Sequence, residues 1–436
     1  MTDSDNTLSF QLRAAAVALA GSARDPATTR LLRALGYDDN DSNATAGRIR
    51  LLRSAALFRR LFRLPMPDAP GLTFFGAEAD PACLGPHNAG LPVGGFAGSG
   101  LDPRRALESC IGEGIEYLSQ FAQPNDRLET RSFAAYAETF DPVARDFVEA
   151  VLSACGVSAD RAVDWMPARR LTDGAVSWFP ADLCLRRAAP DFVPPLKLST
   201  GCAAGVTRDA ATLRGLLELI ERDAVGLWWR GGRRGRSIPV DRETAALLAR
   251  VRAGQGARQT TLLDITSDLG VPVVAAFSTR PDGYGFALGM AARVDFVEAA
   301  RSAIFEMCQS ELSLHVIAAK QRESGQAGLN ESDLRQLKRA SVLNPNGCLL
   351  LRADDEAPGP QVVADETVDA MARRLAERGI VAWSIDLTRG QFGVPVVRVI
   401  APGLQSEPCE IVGDRLARAV AETGGGAQYS GGVALL

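Results

Sequence analysis

Leu216-Leu217-Glu218-Leu219-Ile220-Glu221-Arg222-Asp223 sets two carboxylates three residues apart in an otherwise apolar run. At helical spacing, Glu218 and Glu221 point the same way, into a face that most folds would bury. A buried carboxylate must be paired, protonated or bound to a cation. Arg222, next to Glu221, is either an internal ion-pair partner or a contact for phosphate.

The same signature occurs three times. Ala211 precedes Glu218 by seven residues, Ala106 precedes Glu113 by seven, and Ala299 precedes Glu306 by seven. Each first Glu is followed three residues later by a second polar group: Glu221, Glu116 or Gln309. An i, i+3 pair of Glu on one helix is ordinarily a solvated face. Three such pairs behind one alanine offset point instead to a convergent set of oxygen ligands. Oxygen-only sites suit Mg²⁺, which commonly accompanies a nucleotide phosphate. Glycine-rich stretches precede two of the helices: Gly94-Gly95-Phe96-Ala97-Gly98-Ser99-Gly100 and Ser199-Thr200-Gly201-Cys202-Ala203-Ala204-Gly205. As turns before helices, they would let backbone N–H groups approach phosphate oxygens.

Composition removes competing chemistries. Histidine occurs only at His87 and His315, and the eight cysteines contain no C-x-x-C, so the usual zinc spacings are missing. None of Lys197, Lys320 and Lys338 follows a glycine, so there is no G-K-[ST] phosphate loop. The 48 basic and 52 acidic residues give a net charge of −4, which excludes a general polyanion binder and argues against nucleic acid as a partner. No apolar run approaches the roughly 20 residues that span a bilayer, and the N-terminus opens acidic, with Asp3 and Asp5. These features predict a soluble cytoplasmic protein with reduced cysteines.

The 436 residues, 46% hydrophobic and 23% charged, allow a large buried core. Residues 1–70 read as an N-terminal helical segment, broken by a polar loop over 36–47 and followed by a basic helix from Arg48 to Leu64. From Gly71 to Leu436, strand-like runs alternate with longer helical patterns, which predicts an α/β domain of α+β layers. Within it two cassettes match: Leu263-Asp264-Ile265-Thr266 ahead of Gly270-Val271-Pro272-Val273-Val274, and Ile385-Asp386-Leu387-Thr388 ahead of Gly393-Val394-Pro395-Val396-Val397. They predict a duplicated strand-loop-strand unit about 120 residues apart, with no chemistry of its own.

These residues resemble the YcaO family. The resemblance rests on Ser109-x-x-x-Glu113-x-x-Glu116, on Ser199-Thr-Gly-Cys-Ala-Ala-Gly205 leading to Glu218-Leu-Ile-Glu221-Arg222-Asp223, and on Glu306-x-x-Gln309. It covers roughly Gly71 to the C-terminus and is nearest to members that form thiazoline and oxazoline rings in ribosomally made peptides. It implies a YcaO-type fold and an ATP site without a Walker loop. Glu113, Glu116, Glu218, Glu221 and Glu306 would hold Mg²⁺ around the triphosphate. Ser109, Ser199, Arg222 and Gln309 would also contact nucleotide, with Glu218, Glu221 and Arg222 at the chemical centre. The implied reaction has a Cys, Ser or Thr side chain attack the preceding carbonyl. ATP then phosphorylates that oxygen, and phosphate leaves as the ring closes.

The alternatives are a thioamide- or amidine-forming backbone modification and a non-catalytic docking scaffold. Implied partners are a precursor peptide, a leader-binding protein of adenylating-enzyme-like or recognition-element type, and, optionally, a flavin-dependent dehydrogenase. The Arg48–Arg63 helix is one candidate docking surface. The chain departs from the family's pattern at Tyr117, where Arg is frequent, at Glu311, near which Arg is frequent, and at Val206 and Ala210, near which Asp209 is the closest carboxylate. It ends Gly431-Gly-Val-Ala-Leu-Leu436 rather than in a Pro-x-Pro-x-Pro run.

Overall fold

The computed structural model describes residues 50–136, 140–354 and 367–436. The predicted N-terminal helix and the polar loop over 36–47 lie outside these residues. In chain order the strands are β1 (Arg60–Leu64), β2 (Thr73–Ala79), β3 (Gly94–Gly100), β4 (Glu129–Ser132), β5 (Ala162–Arg170), β6 (Val176–Pro180) and β7 (Cys202–Ala204). They continue as β8 (Arg236–Ser237), β9 (Gln259–Asp264), β10 (Val273–Thr279), β11 (Ala287–Ala292), β12 (Trp383–Asp386) and β13 (Val396–Ile400). Three helices carry the acidic signatures: α1 (Pro103–Ser119), α2 (Arg208–Trp229) and α3 (Phe296–Ser324). Helices and antiparallel sheets together bear out the expected α+β layers.

The chain divides into two compact units. The described part of the first is 50–65, 73–136, 140–216 and 367–402; that of the second is 66–72, 217–354 and 403–436. The division falls inside α2, between Leu216 and Leu217.

The first unit contains two antiparallel sheets. One runs β1-β2-β3; the other runs β4-β5-β12-β13-β7, with β6 on β5. Strand β2 is central, and only Glu78 within it is not buried. Helix α1 begins at Asp102, whose carboxylate accepts the Arg104 N–H at 2.9 Å, and Pro103 takes the first turn. Its apolar side (Ala106, Leu107, Cys110, Ile111, Ile115, Leu118) is fully buried. It lies so close to β3 that a Cβ at Gly98 would sit 2.2 Å from the Ala106 carbonyl oxygen. The glycines over 94–100 therefore do not form the phosphate-binding turn expected from the sequence. They form a strand, and Gly98 is required by helix-on-strand packing.

The basic helix expected over Arg48–Leu64 is also corrected. Helical residues extend from Arg50 to Ser54, a 3₁₀ turn follows at Ala55–Leu57, and Arg60–Leu64 is strand β1. Arg-Leu-Phe-Arg-Leu suits either period, and pairing with β2 decides it: Leu61 opposite Ala77 and Phe62 opposite Gly76.

The second unit holds the antiparallel sheet β11-β10-β9-β8. Strand β10 is buried at all seven positions. Helix α3 covers this sheet, and a Cβ at Gly289 would lie 2.1 Å from the Met307 nitrogen. Glu311 is enclosed beneath α3, 1% exposed. It takes a bidentate pair from Arg252 at 2.6 and 2.8 Å, with Arg258 Nε at 3.2 Å and the Ser278 hydroxyl also donating. That buried cluster is why position 311 carries a carboxylate.

The two cassettes fold as expected, one in each unit. Asp264 accepts the Thr266 N–H at 2.9 Å, and the Thr266 hydroxyl accepts the Val273 N–H at 3.0 Å. Asp386 and Thr388 repeat this at 2.9 Å and, to Val396, 3.1 Å. Strands β9 and β10 pair antiparallel, as do β12 and β13. All eight cysteines stand unpaired in the structure. Among the described residues no helix is long and apolar enough to cross a membrane.

Candidate functional site

Each sheet above has an edge strand whose outward N–H groups have no neighbouring strand to bond. Carboxylates of the three acidic helices take these donors. In the first unit, Glu113 Oε2 accepts the Ala97 N–H of β3 at 3.1 Å. Glu116 Oε1 accepts the Ala204 N–H of β7 at 2.7 Å. In the second unit, Glu306 Oε2 accepts the Met290 N–H of β11 at 2.9 Å, and Glu221 Oε2 accepts the Ala292 N–H of the same strand at 3.1 Å. Residues 290 and 292 are two apart, so both N–H groups leave the same side of β11. The helices thus anchor one oxygen of each carboxylate on rigid backbone, which fixes the direction of the other.

Helix α2 is enclosed almost all round beyond Gly215, so it reads as a buried helix rather than a surface one. Glu218 and Arg222 are half-buried and Glu221 is buried. Arg222 Nη2 stands 3.5 Å from Glu218 Oε1 and 3.7 Å from Glu221 Oε1. Its Nε is buried without a hydrogen-bond partner. Burial works against the Arg222 charge, but the Glu221, Glu218 and Glu306 carboxylates more than offset it and raise its pKa. Desolvation and the neighbouring Glu221 charge push Glu306 up to about 7, against the pull of Arg222. Glu221 is likewise raised by burial, opposed by Arg222 and Arg293. The second unit therefore concentrates carboxylates whose charge Arg222 and Arg293 do not fully satisfy. A divalent cation would relieve that excess.

The remaining expected residues divide between the units. Ser109 and Ser199 are exposed in the first. Gln309 is half-buried on α3 in the second, one turn beyond Glu306. Asp223 faces away from this chemistry: it is fully buried, bonded to Arg415 and to the Gln405 N–H. Val206 is 89% exposed, and Asp209 lies exposed in the first turn of α2. Among the described residues no group of three or more Asp, Glu, His or Cys is gathered closely enough to hold a metal ion as it stands. The strand edges claim one oxygen of each of four carboxylates, so there is no closed cage.

Sequence reasoning did not find Arg293, which follows β11 directly. Its guanidinium donates to the Ala292 carbonyl at 2.7 Å, and its charge lowers the pKa of both Glu221 and Glu306. No local pattern marks it, because its relation to α2 and α3 exists only once β11 is in place. The donor set as folded is oxygen-only, with a partnerless buried guanidinium nitrogen beside it. This suits a hard cation and a phosphate-bearing ligand.

Residues 97–405 match the model of a family described as YcaO cyclodehydratase, ATP- and Mg²⁺-binding. The chain belongs to the YcaO family. A protein of Methanothermobacter thermautotrophicus is 28% identical over 343 residues, covering 74% of this chain and 85% of that protein. A protein of Rhizobium leguminosarum bv. trifolii, described by its place in the tfuA 3′ region, is 27% identical over 332 residues, covering 71% of this chain and 76% of its own length. Solved structures agree in fold. A heterocyclase in complex with substrate and cofactor superposes with a TM-score of 0.66 at 21% identity over 87% of this chain. YcaO from Methanopyrus kandleri, bound with AMPPCP and Mg²⁺, gives 0.56 at 19% identity, covering 84% of this chain and 91% of that one. The E. coli microcin synthetase McbBCD complex gives 0.57 at 13%, covering 79% of this chain and 88% of that one. The chain spans about half the length of the heterocyclase chains it matches, 55% and 49%.

Proposed function

We propose that this protein is an ATP- and Mg²⁺-dependent YcaO cyclodehydratase that forms thiazoline or oxazoline rings from Cys, Ser or Thr of a ribosomally made precursor peptide. The observation that carries the reading is the pair Glu221 and Glu306, anchored on alternate N–H groups of one strand edge with Arg222 beside them. Glu218, Glu221 and Glu306 are assigned to Mg²⁺ in the second unit, and Glu113 and Glu116 to Mg²⁺ or nucleotide in the first. Ser109, Ser199 and Gln309 are assigned to nucleotide. When bound, Mg-ATP would supply a phosphoryl group able to turn a backbone amide oxygen into a leaving group.

The chain's own residues do the rest. The strand N–H groups hold the carboxylates in place before any ligand arrives, so no reorganisation is needed at the moment of reaction. Arg222 offers positive charge from a half-buried position, where it acts more strongly on a transferring phosphoryl group than it would in open water. A separate protein of leader-binding type is proposed to deliver the peptide. Coupled ordering of a flexible peptide costs about 2–5 kcal/mol, which calls for a preformed groove.

The same amide activation serves a second reading, thioamide or amidine formation with an external nucleophile. What favours keeping it is that Glu221, Glu306 and Arg222 would act on the phosphoryl group whichever nucleophile attacks the carbonyl. The test is mass spectrometry of a candidate precursor incubated with the protein, a leader-binding partner, ATP and Mg²⁺. Loss of one water per ring supports cyclodehydration, and exchange of oxygen for sulfur establishes the second reading. No ATP-dependent change with any competent precursor would leave a scaffold.

A further inference from the structure

Beyond the residues assigned above, the first unit carries an arginine built into the end of α1. Arg186 forms an isolated bridge with Phe121: its N–H donates to the Gln120 carbonyl at 2.7 Å, and its carbonyl accepts the Ala122 N–H at 3.0 Å. Backbone on both sides of the residue is therefore fixed just past the helix. The side chain is fixed as well. Its Nε donates to Gln120 Oε1 at 3.0 Å, and its guanidinium carbon lies 5.6 Å from the centroid of the Tyr117 ring. Both supports are themselves held. Gln120 is 3% exposed and donates from its amide nitrogen to the Glu116 carbonyl at 3.1 Å. The Tyr117 ring packs edge-on against Phe121 and donates its hydroxyl to the Pro92 carbonyl.

Yet the fork of this guanidinium has nothing to hold. Among the described residues, its two terminal nitrogens make no hydrogen bond, and no carboxylate stands within ion-pair distance of them. A cation at a helix C-terminus is favoured by the helix dipole, which explains why an arginine is tolerated here. The dipole does not require a pinned Nε, a ring beneath the plane and an enclosed glutamine. Those features remove the rotamer entropy that an arginine otherwise loses on gripping an anion. Tyr117 and Gln120, the two residues that grip Arg186, are one and four places beyond Glu116.

We propose that Arg186 is a phosphate-contacting residue of the nucleotide site, its two terminal nitrogens closing on a phosphate of ATP. The inference rests on the nucleotide-binding reading above and adds a cation that no motif in the sequence marks. A bidentate guanidinium–phosphate contact is among the strong charge-assisted hydrogen bonds, so its loss should be plain in equilibrium binding.

The test is calorimetric binding of Mg-ATP, Mg-ADP and adenosine to the full chain, for wild type, Arg186→Ala, Arg186→Lys and Gln120→Leu, each checked for an unchanged melting profile. Arg186→Ala is expected to weaken Mg-ATP binding by about tenfold or more while leaving adenosine unaffected. Arg186→Lys should recover part of the loss, having the charge without the fork. Gln120→Leu should lie between wild type and Arg186→Ala, because it frees the guanidinium without removing it. Unchanged Mg-ATP affinity in a folded Arg186→Ala overturns the inference. Equal weakening of ATP and adenosine overturns it too, because it marks structural damage. If Arg186→Ala does not fold, the lysine and leucine variants decide by the same ATP-against-adenosine comparison. Failure of wild type to bind Mg-ATP would instead remove the nucleotide reading itself.

Discussion

The two units build their acidic sites from the same parts and load them differently. In the first, a β-hairpin (β2–β3) leads into α1; in the second, a β-hairpin (β10–β11) leads into α3. A glycine in each second strand lets the helix backbone come close, and a helix glutamate returns to an N–H of that strand. In the first unit the two carboxylates go to two separate strand edges, and Glu113 is exposed. In the second, Glu221 and Glu306 share one edge, Glu221 buried and Glu306 half-buried, with Arg222 beside them. One construction thus gives ordinary anchored carboxylates in one place and strained charge in the other, and the difference comes from burial and from edges that are shared or separate.

The largest effect expected from that contrast is on turnover. Glu221→Gln should reduce peptide-dependent ATP hydrolysis at least about a hundredfold, and Glu113→Gln should do less, because only the first removes charge from the crowded edge. Steady-state phosphate release at matched purity checks both. Full activity in Glu221→Gln would end the claim that the second unit carries the chemistry.

Next in size is stability within the second unit. Glu311→Ala leaves Arg252 and Arg258 without their shared carboxylate, and breaking such a buried pair costs about 3–5 kcal/mol. Urea denaturation should register it, while nucleotide assignments predict no direct contact with ligand. A loss below about 1 kcal/mol would mean that water reaches the cluster.

The glycine pair probes the shared construction. Gly98→Ala and Gly289→Ala each put a Cβ against helix backbone, and overpacking of this kind costs about 1–3 kcal/mol. Similar losses in thermal melts would confirm that both helix–strand contacts are equally tight. A silent Gly98→Ala would show that α1 can shift where α3 cannot.

A smaller effect separates the units by pH. Glu306 has a folded pKa raised from 4.5 to about 7, so the folded chain favours its protonated form. The stability this contributes is full below about pH 4.5 and is lost as pH rises through about 7. Between about pH 5 and about pH 8 the melting temperature of metal-free wild type should therefore fall more steeply than that of Glu306→Gln. Parallel curves would place the titration elsewhere. Smallest of all, Thr266→Val and Thr388→Val should each cost about 0.5–1.5 kcal/mol, testing whether the two Asp-x-Thr turns are equivalent.

Much of this architecture was legible in the amino-acid order because it is local. The Asp-x-Thr cassettes close within a few residues, and the alanine-to-glutamate spacing is a property of single helices. What was not legible depends on partners far along the chain. Arg60–Leu64 satisfies helical and strand spacing alike until β2 claims it. The glycines of β3 look like a ligand-binding turn until α1 lies against Gly98. Arg186 and Arg293 gain meaning only from Gln120 and from the β11 edge, contacts that no motif encodes. The acidic positions themselves could be read, but not that strand N–H groups hold them.

Strand order in the six-stranded sheet also has a consequence in time. Strands β12 and β13 sit between β5 and β7, although β7 ends at Ala204 and β12 does not begin until Trp383. A ribosome adding about 5–20 residues per second takes roughly ten to forty seconds to bridge that gap. Until then β7 lacks the neighbour that will cover one of its edges, and β5, already paired with β4 and β6, lacks its partner at Arg169 and Arg170. Synthesis of this protein therefore includes an interval in which the nascent first unit presents open strand edges, when a holding chaperone would matter most.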